Sequence, residues 1–234
     1  MGKATENGKI SIKIAKSEQN ISPQQGWIRV HLTDMGYIDI PPSMEVQSGK
    51  YKEYKNEFFE KIFEMEGGKL VIQQKGLNEK LEGAFERYAR IVIDTEVGNK
   101  GDFDMKQLNS DEITKIGDLI KNSYIEEVNN SGIASIIDAS SVKFEKISNI
   151  DCFYFQCTRQ TNITDEEVIK RAEKYLSQSK SKLIEKKPPV KVYYYEFMNN
   201  DRRHFLTMSY RTEEKDTCHL DYEKVLKNLK ITKR

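Results

Sequence analysis

Hydrophobic and polar positions alternate most regularly near the end of the chain. Between Arg203 and Thr212, His204, Leu206, Met208 and Tyr210 fall on one side. Arg203, Thr207, Ser209 and Arg211 fall on the other, with Phe205 the apolar exception. Period two of this kind predicts a strand with one wet face. Just upstream, Val190 to Met198 is dense in β-branched and aromatic residues, which suit a pleated, half-buried surface. Asn199, Asn200 and Asp201 lie between the runs and tolerate turn geometry, so the pair reads as a hairpin. The charged residues from Thr212 to Asp216 close the second strand. Tyr222, Val225, Leu226 and Leu229 then recur at helical spacing, with Asp216 or Thr217 as cap and Lys227 and Lys230 at the C-terminal end. A hairpin with an apolar face followed at once by an amphipathic helix predicts a helix packed on an antiparallel sheet.

The rest of the chain builds onto that layer. Residues 1–25 are polar and read as a flexible arm, with Ile10, Ile12 and Ile14 alternating as a short edge strand. Trp27 to Leu32 and Gly36 to Ile40 predict two strands, and Pro41-Pro42 ends the second because proline has no amide for the ladder. Lys50 to Glu66 reads as a helix through Tyr51, Tyr54, Phe58, Ile62 and Met65, although Phe58-Phe59 and Ile62-Phe63 also suit strand edges. Lys69 to Lys75 and Arg87 to Val97 read as strands, the second with Ala89, Ile91, Ile93 and Thr95 on its drier face. Ser110 opens a helix from Asp111 to about Val128, striped by Ile113, Ile116, Ile120 and Tyr124. Ser141 to Ile147 and Asp151 to Arg159 form another strand pair around Ser148-Asn149. Thr164 and Glu167 make a capping box for a helix ended by Pro188-Pro189. Strand pairs alternate with single helices, and most connections are too short for parallel crossovers. The expectation is one α+β domain over residues 26–234, a mainly antiparallel sheet flanked by helices.

Charge adds little. Lys+Arg total 38 against Asp+Glu 37, so the whole chain carries no electrostatic footprint for nucleic acid. No apolar run approaches the roughly 20 residues that span a bilayer, so no transmembrane segment is expected. The chain as written reads as cytoplasmic, or as periplasmic or envelope-bound if a signal peptide has been removed. Met1-Gly2 is no myristoylation signal, because position 6 is Glu6.

Candidate chemistry is sparse. Cys152, Cys157 and Cys218 are odd in number, and the first two are five apart on a predicted strand, so they face opposite ways. His31, His204 and His219 sit in no metal-binding spacing, and no metal or other cofactor is expected. Cys218 with His204 is the one candidate nucleophile and base, without a glycine-rich oxyanion turn beside it. Gly67-Gly68-Lys69 lacks the phosphate-loop spacing. The carboxylate pairs Glu126-Glu127, Glu166-Glu167 and Glu213-Glu214 lie on predicted helix faces or turns. Tyr193 and Tyr195 share a face with Phe197, as core or as a stacking platform, and Arg202, Arg203 and Arg211 bring positive charge to the same hairpin. These five residues are the candidate contacts to a protein partner.

The order of parts resembles the PsbP-like (Mog-one-like) group of α/β/α sandwich proteins, and within it uncharacterised bacterial members. The resemblance lies in Tyr37-Ile38-Asp39-Ile40-Pro41-Pro42, in Phe205-Leu206-Thr207-Met208-Ser209-Tyr210, and in the closing helix Tyr222 to Leu229 followed by Ile231. Gln73-Gln74-Lys75-Gly76-Leu77-Asn78 and Tyr88-Ala89-Arg90-Ile91 add to it. It covers Trp27 to Ile231, with Thr164 to Lys187 as an elaboration. The resemblance implies a non-enzymatic protein that binds or helps assemble others, or sits at the cell envelope, and it carries over no catalytic residue. The expected function is therefore a non-catalytic protein-binding or assembly module. The alternatives are a small hydrolase or ligand-binding enzyme with a pocket near the C-terminal hairpin, and an envelope-associated structural protein.

Overall fold

The structure is a computed structural model. It describes residues 23–32, 35–48, 69–79, 88–132, 134–162, 166, 170 and 188–234, and for residues 214–220 the backbone alone. The predicted edge strand near Ile10 and the predicted helices over 50–66 and 164–187 lie outside the described residues.

The described strands are β1 (Ile28–Leu32), β2 (Gly36–Ile40), β3 (Met44–Val46), β4 (Leu70–Gln74), β5 (Ala89–Val97), β6 (Ala134–Ala139), β7 (Lys143–Ile147), β8 (Ile150–Thr161), β9 (Val190–Asn199), β10 (Arg202–Arg211) and β11 (Lys230–Ile231). Helix α1 spans Ser110–Asn130, and α2 spans Lys215–Asn228 behind a short 3-10 turn, Thr212–Glu214. The main sheet runs β3-β4-β5-β10-β9-β8-β6, with β7 also on β8, and a small sheet runs β1-β2-β11. Every pairing among these strands is antiparallel. The architecture is thus α+β, with a helix on each face of an antiparallel sheet.

Alternation fixes what each face carries. On one face Ile91, Ile93, Leu206, Met208, Tyr210, Tyr193, Tyr195 and Phe197 meet Tyr222, Val225 and Leu229 of α2 and Ile38 and Ile40 of β2. Tyr222 ties helix to sheet, because its hydroxyl donates to the carbonyls of Ser209 on β10 (2.8 Å) and Arg90 on β5 (3.0 Å). The small sheet is pinned by Arg29, whose guanidinium makes a two-pronged bond to Asp39 at 2.8 and 2.9 Å and lies over the Tyr37 ring. On the opposite face Phe155, Cys157, Val190, Val192 and Tyr194 meet Ile120 and Tyr124 of α1. Cys152 and Cys157 are both buried, one in each of these clusters, as their odd spacing predicts.

Three local expectations are corrected. Asn109, not Ser110, caps α1: its side chain accepts from the amides of Asp111 and Glu112, and Glu112 reaches back to the Asn109 amide. Helix α2 begins at Lys215, so Asp216 and Thr217 lie inside its first turn rather than before it. Strands β3 and β6 have no counterpart in the periodic pattern. The Ser148-Asn149 turn is as expected, with φ of 53° and 63° at its two residues, the geometry a tight hairpin between twisted strands requires.

Candidate functional site

Helix α1 packs on the β6–β8 side of the sheet, and a groove runs along its other flank. The turn geometry of a helix places Ile116, Leu119, Ile120, Ser123, Tyr124 and Glu127 on that flank. Opposite them, alternate residues of three neighbouring strands point up from the sheet: Val92 and Asp94 of β5, Arg203, Phe205 and Thr207 of β10, and Tyr194 and Glu196 of β9. Lys69, just before β4, completes the described lining of a cavity of about 570 Å³. The approach of α1 to the sheet is set at Gly117, the buried residue of the helix. A β-carbon there would stand 3.1 Å from Val142 and 3.4 Å from Phe153.

The floor is aromatic. Tyr124 packs on Tyr194 with centroids 4.9 Å apart and meets Phe155 edge-on at 5.7 Å, and Phe155 stacks on Tyr194 at 5.0 Å. Leu119 on the rim is 65% exposed, far more than an aliphatic residue of a packed helix face.

The charged groups of the groove include one network around Arg203 and a separate pair, Lys69 with Asp94. Glu196 is only 2% exposed. Its Oε2 accepts from the Tyr194 hydroxyl at 2.9 Å, and its Oε1 accepts from Arg203 Nη1 at 3.1 Å. Arg203 also donates from Nε to Glu96 at 3.0 Å, and from Nη2 to the same carboxylate. Its guanidinium lies 5.0 Å from the Phe205 ring and 5.6 Å from that of Phe103. Lys69 stands 3.7 Å from Asp94. Burial pushes the Glu196 carboxyl above its ordinary value, against the opposing pull of the Tyr194 hydroxyl and Arg203. Burial likewise raises the Tyr194 phenol, and the neighbouring Glu196 carboxylate raises it further. Both oxygens of Glu196 are thus engaged, as in a satisfied ion pair rather than an acid held ready for a substrate.

Of the five candidate contact residues, Arg203 lines this groove. Tyr193 and Tyr195 are buried on the opposite face of the sheet, beside Tyr210 and Phe197 respectively. Arg202 also points to that side and bonds Asp201 at 2.9 Å. Arg211 shares the face of Arg203 but stands eight residues along β10, roughly 27 Å away at strand rise. The hairpin therefore does not gather the five into one surface. Glu196 carries a signal that sequence reading passed over: it is the single charge inside the run Tyr193-Tyr194-Tyr195-Glu196-Phe197.

His204 faces away from the groove. It is fully buried, with Nδ1 2.9 Å from Thr95 Oγ1 and Nε2 3.5 Å from Asn199 Nδ2. Burial, with Arg202 and Arg234 nearby, lowers it to about 4. The Cys218 side chain lies outside the described residues. Among the described residues no three His, Cys, Asp or Glu side chains are grouped as metal ligands, and no helix is long and apolar enough to cross a membrane.

No protein-family model matches the chain, and no curated protein matches it. Among solved structures it is similar to a crystal structure from Bacteroides thetaiotaomicron VPI-5482, at 10% identity and a TM-score of 0.39. That match covers 85% of this chain and 45% of the other, so the chain spans less than half of that protein's length. It is also similar to the solution structure of cyanobacterial PsbP (CyanoP) from Synechocystis sp. PCC 6803, at 9% identity and a TM-score of 0.47. There the match covers 93% of this chain and 99% of the other. At these scores neither neighbour bears on what the chain does.

Proposed function

We propose that the protein is a non-catalytic binding module that holds a segment of a partner protein in the groove between α1 and the sheet. The observation that supports this most directly is the groove's own composition. Its rim carries an aliphatic side chain, Leu119, in water, while the buried carboxylate beneath, Glu196, is already paired with Tyr194 and Arg203. Val92, Ile116, Ile120 and Phe205 join Leu119 in the lining, and apolar contact area framed by polar groups suits a recognition surface. A reaction site would instead hold a base or nucleophile in reach of an unfilled position. His204 is separated from Glu196 by the thickness of the sheet, because the two fall on opposite faces of β10 and β9. The PsbP-like resemblance of the sequence implies the same class of role.

Affinity capture with the full chain tests this, run beside Leu119→Asp. Leu119 is exposed, so the substitution leaves folding intact, which circular dichroism checks. A partner retained by the wild type and lost from the variant is the expected result. A set of bound proteins indifferent to the substitution, or turnover of a small substrate by the purified chain, overturns the reading.

A further inference from the structure

We infer that the segment held in this groove is basic and apolar, with lysine or arginine side chains alternating or interspersed with bulky aliphatic ones. The inference rests on the groove being the binding site, and adds which chemistry it selects. Among the described lining residues, Asp94, Glu127 and Glu196 face Lys69 and Arg203, and Glu96 joins from just outside through its bonds to Arg203. The excess is two negative charges with Glu196 ionised and one with it protonated.

The surplus of carboxylates sets the sign of the groove. Arg203 spends Nε and Nη2 on Glu96 and Nη1 on Glu196. Lys69 stands 3.7 Å from Asp94. Both cations keep N–H groups beyond these contacts, but an incoming anion reaching them would also face the surplus carboxylates. A carboxylate has about four acceptor sites on its two oxygens. The side chains of Asp94 and Glu96 are 37% and 47% exposed, so they can accept further donors without releasing those they hold. Glu127 stands exposed on the same flank of α1 as Ile120. Asp94 and Glu96 present carboxylates from the strand side and Glu127 one from the helix side, at different levels along the groove, so successive cations of one extended segment would meet them. Beside them, Ile116, Leu119, Ile120, Val92 and Phe205 offer apolar contact. A chain that combines ammonium or guanidinium groups with aliphatic side chains matches both walls. A purely polar basic chain or an acidic apolar chain matches one only.

The test is a fluorescence-anisotropy titration of the full chain with three labelled synthetic peptides of equal length, built from Lys and Leu, Glu and Leu, and Lys and Ser. The Lys/Leu peptide should bind tightest, and its affinity should fall as salt rises. Glu127→Lys should weaken it about fivefold, the scale of one exposed charge. Leu119→Ser, which removes apolar contact without adding charge, should weaken it by at least as much. Equal binding of the Glu/Leu peptide, lost in Leu119→Ser, overturns the charge assignment while leaving the groove as the site. Equal binding of the Lys/Ser peptide overturns the apolar half. Binding of the Lys/Leu peptide that is indifferent to both substitutions, or no binding of it, overturns the inference. Loss of a natural partner on Leu119→Asp would then still separate the fate of the groove from that of its ligand chemistry.

Discussion

Arg203 Nη1 donates to Glu196 Oε1 across 3.1 Å, joining β10 to β9 beneath the groove. The carboxylate end is nearly dry and the guanidinium end is half-wet, at 2% and 31% side-chain exposure. Glu196 therefore depends on Arg203 more than Arg203 depends on it, since Glu96 remains to pair the guanidinium.

That asymmetry predicts the behaviour of Arg203→Ala. The substitution strands a buried carboxylate, and at neutral pH should cost about 2 kcal/mol, below the usual loss for a fully buried pair because one end is solvated. The Glu196 carboxyl is already raised above 4.5 in the folded chain, and losing Arg203 raises it further. A group whose folded pKa is raised contributes stability below the unfolded value and loses it as pH rises through the folded one. The deficit of Arg203→Ala should thus be small near pH 4.5 and grow towards neutrality. Urea unfolding midpoints across that window check this, and Glu196→Gln in the same background should abolish the pH dependence.

Part of this site is legible from sequence and part is not. The face of β10 and the stripe of α1 each show in the periodicity, because burying one side of a strand or helix forces apolar residues to recur at 2 or about 3.6. Which strand faces α1 overlooks depends on the order β5-β10-β9-β8, and no local pattern encodes a strand order. Strand β6 is hidden for another reason. A register shift between Ile136 and Asp138 breaks its alternation, leaving Ile137 59% exposed. Strand β3 is three residues long, and polar side chains hold its neighbourhood together. Gln47 donates to Gln73, Gln73 to Asn78, and Asn78 to the Val46 carbonyl. Such a network has no period to read.

Gly36 is required by the closing strand. It takes φ of 138°, and a β-carbon there would fall 2.0 Å from the Lys230 carbonyl oxygen, which is backbone and unable to move aside alone. Gly36→Ala should therefore unpair β11 from β2. The expected loss is about 2 to 4 kcal/mol, combining strain at positive φ with the displaced strand. Hydrogen exchange should show the amides of 230–232 losing protection first, while those of β9 and β10 stay protected.

His204 predicts a second pH effect, of opposite sense. With Asn199 Nδ2 donating to Nε2, the hydrogen of the neutral ring lies on Nδ1 and is donated to Thr95 Oγ1. Protonating Nε2 would aim an N–H at an NH₂ group. The folded value near 4, against 6.5 in the unfolded chain, means the folded state excludes the proton. Its stabilising contribution is present above 6.5 and is lost as pH falls towards 4, about 3 kcal/mol in all. His204→Gln should flatten the acid limb of the stability profile, and proton NMR of the wild-type ring should show no titration near pH 6.5.

Tyr88 should ionise well before Tyr124, Tyr194 and Tyr195. Burial pushes its phenol upward, but the guanidiniums of Arg159 and Arg90, with hydrogen bonds involving Ser209 and Arg159, outweigh it and bring it down to about 8. Arg159 Nη2 donates to the Tyr88 oxygen at 2.9 Å, and the Arg90 guanidinium lies 5.3 Å from the ring centroid. The side chains of Tyr124, Tyr194 and Tyr195, by contrast, are raised by burial. Ultraviolet difference absorbance should therefore show a phenolate step near pH 8, separated from the later ones. Because the folded value lies below the ordinary 10, stability should rise between about 8 and 10 as the unfolded chain still holds its proton. Arg159→Met removes the charge and the hydrogen bond together and keeps an apolar stem of similar length. In that variant burial is opposed only by Arg90 and Ser209, so the step should move upward by at least one unit, roughly the effect of an adjacent unit charge. A step that stays near 8 in Arg159→Met would assign the early ionisation to another group.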